Sequence, residues 1–533
     1  MDSTRLLRRS GTFAAAAALL LSAVVPADAV PARAPEPGGV AGSAAAAASP
    51  APPLRPLPTA VPAALRRYYG QKLAWHSCGG KRAGFECATL RAPLDYAAPR
   101  RGGDIKLAVS RKKATGPGAK LGSLMVNPGG PGGSAVGFLQ AFAGTRYPRS
   151  VRARYDMVAM DPRGVAGSEP VTCLSDARMD EFAQVDQTPD DDAEVRRLVA
   201  AYREYANGCA ARSGRLLRHV STVEAARDMD LFRAVLGDDK LHYVGASYGT
   251  FLGATYAGLF PSRVGRLVLD GALDPSLDAQ SVNRDQTAGF QTAFESFAED
   301  CAEHEDCTLA GGGPGVAGTR LKAFFDQLDS QPLPTGTRRD LTESLATTGV
   351  ISAMYDQAAW PLLRRALNDA QNGDGALLLR LSDAYYERDE HGSYTNLMAA
   401  NSAVNCLDQA PPFRSPAGVR RALPAFEKAS PAFGTSFAWG ALTCAYWPVK
   451  ATGGPHRITA RGAAPILVVG TTRDPATPYR WARGLAGQLS SGRLLTYEGD
   501  GHTAYNRGSS CVDSAINDYL LTTTAPPAQR RCT

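Results

Sequence analysis

The sequence predicts an α/β fold, a mostly parallel sheet interrupted by a helix-rich insertion, on three observations. The first is a set of strand-like apolar runs, of which Pro465-Ile466-Leu467-Val468-Val469-Gly470 is the clearest. It is rich in β-branched residues, as a parallel strand buried on both faces should be. The second is Gly245-Ala246-Ser247-Tyr248-Gly249, with a short apolar run, Leu241 to Val244, before it and a helical pattern, Thr250 to Ala257, after it. The third is a concentration of helical patterns between 273 and 454, over Phe290 to Cys301, Gly318 to Leu328, Ala358 to Asn372 and Ala376 to Tyr386.

In chain order the first feature is a targeting segment. Arg5, Arg8 and Arg9 form a basic head, and Phe13 to Val25 is apolar but too short for an ordinary membrane span. Ala27-Asp28-Ala29 fits a small-residue cleavage site, so 1–29 is expected to be a signal peptide and the mature protein secreted, extracellular and without stable membrane insertion. Arg8-Arg9 raises the twin-arginine route, but Gly11 and Thr12 favour the general secretory one. No cysteine follows closely enough for a lipid anchor. The Ala/Pro-rich stretch 30–60 has too few large apolar groups to fold and reads as a linker or pro-segment. The rest exceeds one ordinary domain. It divides into a core over 70–272, a helical cap over 273–454 and the remainder of the core over 455–533.

Within the core, Leu121 to Val126 leads as a strand into Asn127-Pro128-Gly129-Gly130-Pro131-Gly132-Gly133-Ser134. A loop so rich in glycine brings bare N–H groups close to a bound carbonyl, as an oxyanion hole requires. It lacks the Gly-Lys-Ser/Thr ending of a phosphate-binding loop. Tyr155 to Met160 is the next strand, and Asp161 and Arg163 after it are expected to brace the surrounding loops. A helix candidate, Ser221 to Leu236, precedes the Ser247 turn. A strand running through a tight turn into a helix is the nucleophile elbow, which holds a serine in a strained conformation above the sheet. Its partners follow in the order acid, then histidine. Of only seven histidines, His502 alone lies beyond the last plausible acid. Asp474 follows the strand 465–470, and it precedes His502 in a separate loop; Asp500 is a rival acid, close to His502 only along the chain. These elements predict the α/β-hydrolase fold, with a mostly parallel central sheet and an inserted, mainly helical cap domain.

Composition excludes other classes. The formal charge is +7 but dispersed, with no long basic block, so nucleic acid is not an expected partner. Ten cysteines in an exported chain suggest disulfides. Pairing near neighbours gives Cys78–Cys87, Cys173–Cys209, Cys301–Cys307, Cys406–Cys444 and Cys511–Cys532. Zinc is disfavoured by the absence of any Cys-x-x-Cys pair and the scarcity of histidine, so no metal is expected.

The succession Asn-Pro-Gly-Gly-Pro-Gly-Gly, Asp-Pro-Arg-Gly, Gly-Ala-Ser-Tyr-Gly-Thr, Arg-Asp-Pro-Ala-Thr-Pro and Gly-Asp-Gly-His-Thr resembles the secreted bacterial tripeptidyl aminopeptidases, relatives of proline iminopeptidase. The resemblance runs from about Tyr68 to Cys532 and includes an entry segment, Cys87 to Tyr96, leading into antiparallel strands. Asn127 stands where the wider group often has His. The resemblance implies a serine peptidase without cofactor, releasing tripeptides from peptides with a free N-terminus. By position it makes Ser247 the nucleophile, His502 the general base and acid and Asp474 the orienting carboxylate, with Gly130 and Tyr248 donating to the oxyanion. A protonated α-amine needs a carboxylate. Asp408 is the first candidate, held in the cap by a disulfide at Cys406; a structural Asp is the other reading. A monomer is expected. An exported esterase or lipase could use the same triad, and a non-catalytic binding protein is disfavoured because no catalytic element is missing.

Overall fold

The computed structural model describes residues 54–80 and 82–533. The expected signal peptide 1–29 and most of the 30–60 segment lie outside them. A 10-stranded sheet runs through the molecule. Its strands are β1 (His76–Ser77), β2 (Glu86–Pro93), β3 (Asp104–Lys112), β4 (Gly122–Asn127), β5 (Tyr155–Met160), β6 (Leu241–Ala246), β7 (Val264–Asp270), β8 (Ile466–Arg473), β9 (Gly492–Asp500) and β10 (Arg530–Cys532). Their order is β1-β2-β3-β5-β4-β6-β7-β8-β9-β10. β1, β2, β3 and β5 pair antiparallel, which is the entry segment the sequence suggested. From β5 onward every pairing is parallel. The fold is that of an α/β-hydrolase.

The central strands alternate between two cores, as period-two side chains must. Leu124 and Val126 of β4 and Leu467 and Val469 of β8 face helices Arg149–Arg154 and Ser510–Thr522. Met125, Ile466 and Val468 face the other way, toward helices Thr222–Val235, Tyr248–Leu259 and Tyr479–Gln488. Both faces of the sheet are therefore covered, which is why these strands read as continuous apolar runs.

Register brings the ends of β4, β6 and β7 within a residue of one another, beside Val469 of β8, which runs on to Arg473. Asn127 lies opposite Gly245, Ala246 opposite Asp270, and Asp270 opposite Val469. The loops after β4, β6, β7 and β8 thus leave one edge together. This is the carboxyl edge, where open α/β sheets hold their ligands.

Between β7 and β8 the chain forms helices Ala279–Ala302, Gly313–Ser330, Glu343–Met354, Trp360–Gln371, Ala376–Tyr385, Leu397–Asp408 and Pro416–Ala429. Phe290, Phe294 and Phe297 pack there with Phe325, Trp360, Leu378 and Phe433 in a core of their own. A smaller core joins Phe413, Val419, Phe426 and Trp439 to Val195, Leu198 and Tyr202. The last three come from helix Asp192–Ser213, in the β5–β6 connection. We infer that the cap draws on this helix as well as on the 273–454 insertion. Its signal in sequence is the capping box of Asp191 and Glu194, which fixes the helix start.

All ten cysteines pair, in the five near-neighbour combinations given by the sequence. No helix among the described residues is long and apolar enough to cross a membrane.

Candidate active site

Ser247 ends β6 and begins helix Tyr248–Leu259. Its backbone sits at φ 55°, ψ −126°, a conformation costly for a residue with a Cβ. The turn is tied down on both sides. The Ser247 N–H donates to the Asp270 carbonyl at 2.8 Å, and its own carbonyl accepts from the Thr250 N–H and hydroxyl at 2.8 and 2.6 Å. The glycine-rich loop passes directly against it. A Cβ at Gly129 would lie 2.5 Å from the Ala246 carbonyl oxygen and 3.0 Å from the Tyr248 nitrogen, so only glycine fits. The loop carrying Gly130 and the N–H of Tyr248 are thereby adjacent. Tyr248 is the first residue of its helix, where an N–H has no partner within the helix. Asn127 accepts the Gly129 N–H at 2.9 Å, the loop-fixing role that its side chain can fill in place of histidine. Asp161 accepts from the Ser134 hydroxyl and the Val136 and Gly167 N–H groups. Arg163, fully buried, forks onto Asp228. Both residues brace the rim.

Asp474 and His502 meet as a buried pair. His502 Nδ1 lies 2.9 and 3.0 Å from the two Asp474 oxygens. The carboxylate also accepts the Ala476 and Thr477 N–H groups and the Thr477 hydroxyl at 2.9, 2.8 and 3.0 Å. This geometry makes Nδ1 the protonated nitrogen and leaves Nε2 as the acceptor. Nε2 is buried and has no hydrogen-bond partner among the described residues. Asp500 is not part of the pair; its carboxylate forms a fork with Arg473 at 2.6 and 2.7 Å. Closeness along the chain was thus no guide.

Three residues of this site were missed by sequence reasoning. Asp270 accepts Ser247 N–H on its carbonyl, and its buried carboxylate accepts the Ala504 and Tyr505 N–H groups at 2.9 to 3.1 Å. It therefore ties the serine turn to the histidine loop. Burial pushes its carboxyl above the usual range. An acid closing the apolar run Val264–Asp270 was its only signal. A Cβ at Gly271, the next residue, would be 3.2 Å from His502 Cε1, so the imidazole stands beside the strand end that holds Ser247. Thr477 is the second, foreshadowed by its place three residues after Asp474. Tyr355 is the third. Its carbonyl accepts the His502 N–H at 2.9 Å and its ring meets the imidazole edge-on at 5.4 Å. Nothing in the local pattern announced a cap residue in that position.

Asp408 does not present the open carboxylate expected of an amine-binding group. Its two oxygens accept the N–H and the hydroxyl of Thr222 at 2.9 and 2.5 Å. Burial pushes its carboxyl up to about 7. It behaves as a cap on the first turn of helix Thr222–Val235.

A family model described as "TAP-like protein" matches residues 430–532. The serine protease Hip1 of Mycobacterium tuberculosis (strain ATCC 25618 / H37Rv) is 39% identical over 485 residues, covering 87% of this chain and 91% of that protein. Carboxylesterase B of the same strain is 38% identical over 452 residues, 84% of this chain and 86% of the relative. The tripeptidyl aminopeptidase of Streptomyces lividans is 33% identical over 455 residues, 82% and 81% of the two chains. Identity of this extent over more than four fifths of each chain leaves one conclusion: the chain belongs to the tripeptidyl-aminopeptidase-like serine hydrolases of the α/β-hydrolase superfamily.

Proposed function

We propose that Ser247, His502 and Asp474 are the triad of an exported, monomeric exopeptidase that removes short peptides, tripeptides above all, from free N-termini. One observation carries the triad: His502 Nδ1 is satisfied by Asp474 while its buried Nε2 is left without a partner beside the strained serine turn. A base must keep one nitrogen free for the serine proton. Ser247 Oγ attacks the scissile carbonyl as Nε2 takes its proton. Negative charge develops on the carbonyl oxygen, and the N–H groups of Gly130 and Tyr248 receive it. His502 returns the proton to the leaving amine, and water then releases the N-terminal fragment by the same steps. Asp474 holds the imidazole in the required tautomer and balances its charge.

The peptidase reading rests on the relatives named serine protease and tripeptidyl aminopeptidase. Five disulfides support export. A relative named carboxylesterase B favours the second reading, an ester substrate on the same triad. Hydrolysis of Ala-Pro-Ala-p-nitroanilide, its N-acetylated twin and p-nitrophenyl butyrate separates them, with Ser247→Ala as control. Cleavage of the free-amine peptide and not the acetylated one is the expected result. Rapid ester turnover with both peptides intact would overturn it.

A further inference from the structure

Helix Leu397–Asp408 touches the site at two points, one for each of the two oxyanion donors. Near its start, the Asn401 side-chain amide donates to the Pro131 carbonyl at 3.0 Å. Pro131 directly follows Gly130 in the glycine-rich loop. At its end, Asp408 accepts both donors of Thr222. The Thr222 oxygen is in turn 2.5 Å from the Tyr248 hydroxyl. Thr222 has one hydroxyl proton and gives it to Asp408, so Tyr248 donates to Thr222. The result is a directed chain, Tyr248 to Thr222 to Asp408, crossing three helices. Its first two members are buried, Thr222 at 1% and Tyr248 at 5% exposed, and Asp408 is half-buried. The Cys406–Cys444 disulfide anchors the same helix two residues before Asp408.

We propose that this cap helix sets the oxyanion hole. Asn401 positions the Gly130 N–H through Pro131, and Asp408 positions the Tyr248 N–H through Thr222. The inference rests on the assignment of Gly130 and Tyr248 as donors. An oxyanion hole works by preorganisation, and a donor displaced by about an ångström loses about 100-fold in rate. The Tyr248 ring and its N–H belong to one residue at the first turn of a helix. Fixing the hydroxyl therefore fixes the orientation of that turn. Asn401, Thr222 and Asp408 are positioning residues and touch no reacting atom. Tyr248 alone reaches both the chain and the substrate. Acting on the oxyanion, the device serves any acyl substrate, peptide or ester. An amine-binding Asp408 would serve only substrates with a free α-amine.

The test compares Thr222→Val, Tyr248→Phe, Asn401→Ala and Thr222→Ser on Ala-Pro-Ala-p-nitroanilide and p-nitrophenyl butyrate. Rates are expressed per serine titrated with a fluorophosphonate, so that only folded sites count. Thr222→Val and Tyr248→Phe should each lower kcat about 10- to 100-fold on both substrates, with KM little changed. Their double variant should be no worse than either, because both break one chain, while Asn401→Ala with Thr222→Val should multiply. Thr222→Ser should keep the wild-type rate. Should Thr222→Val fail to fold, Tyr248→Phe, which removes one oxygen at the other end, carries the test. Unchanged ester kcat in both variants would overturn the proposal. So would a loss confined to the free-amine peptide and expressed in KM. If the wild type cleaves only the ester, the peptidase reading fails and the ester arm still decides this one.

Discussion

At the residue scale the site is a short chain of hydrogen bonds whose links have different worth. Ser247→Ala and His502→Ala remove the proposed nucleophile and its base, and turnover should fall by about six orders of magnitude in each. Asp474→Asn keeps the shape but offers the imidazole the wrong tautomer, and kcat should fall about 10⁴-fold. Thr477→Val is the finer probe. Its hydroxyl is one of several donors to Asp474, at 3.0 Å. Removing one hydrogen bond to a charged acceptor is worth about 1.5 kcal/mol, roughly ten-fold in kcat/KM. Steady-state kinetics on both enzymes reads the loss. The pairing of Asp474 with His502 was legible in the sequence because chain order and the scarcity of histidine left almost no choice. Asp270 was not, since its two bonds to the histidine loop exist only once β7 and the chain after β9 are side by side. The bonds of Asp408 to Thr222 were hidden for the same reason. A carboxylate placed in the cap by a disulfide looks available until the helix it caps comes into view.

At the scale of elements, the strands were readable where both faces are buried, because a continuous apolar run leaves little else to build. The cap was readable as helices but not as an assembly. Its helices meet through side chains far apart in sequence, and Asp192–Ser213 joins them from the other side of the serine. Helix Glu343–Met354 carries a testable feature of that assembly. Glu343 is 8% exposed and its carboxylate faces Asp186 and Asp329. Burial first, and these like charges after it, push its carboxyl up to about 7; the Thr188 hydroxyl, donating to it, opposes the rise. An acid with a raised folded value contributes stability that is present below the unfolded value and lost as the pH rises through the folded one. Stability should therefore fall between about pH 4.5 and 7, by at most about 3 kcal/mol from this group. Glu343→Gln removes the loss. Its melting temperature should exceed that of the wild type at pH 8 and match it near pH 4.5.

At the scale of the whole molecule, two disulfides, Cys78–Cys87 and Cys511–Cys532, reach the outer strands β2 and β10, and the other three staple connections. Cys173–Cys209 closes 36 residues of the β5–β6 connection and ties the rim of the site to the helix that enters the cap. In the chain-entropy account a loop of that size is worth about 4 kcal/mol. The double variant Cys173→Ala/Cys209→Ala should unfold at a markedly lower temperature, while per-serine turnover of the folded fraction stays near normal; calorimetry and active-site titration measure the two. The insertion between β7 and β8 has another consequence. It places most of the cap between Ser247 and its proposed partners Asp474 and His502, so the proposed nucleophile is synthesised well before the proposed base. A nascent chain that stalls within the cap, or a fragment clipped there, carries a serine no more reactive than any other. The proposed site is complete only with the final strands, once β8 has docked beside β7 and β9 beside β8. The order of assembly thus acts as a safety catch on the proposed peptidase, which must be made amid the proteins of its own host cell.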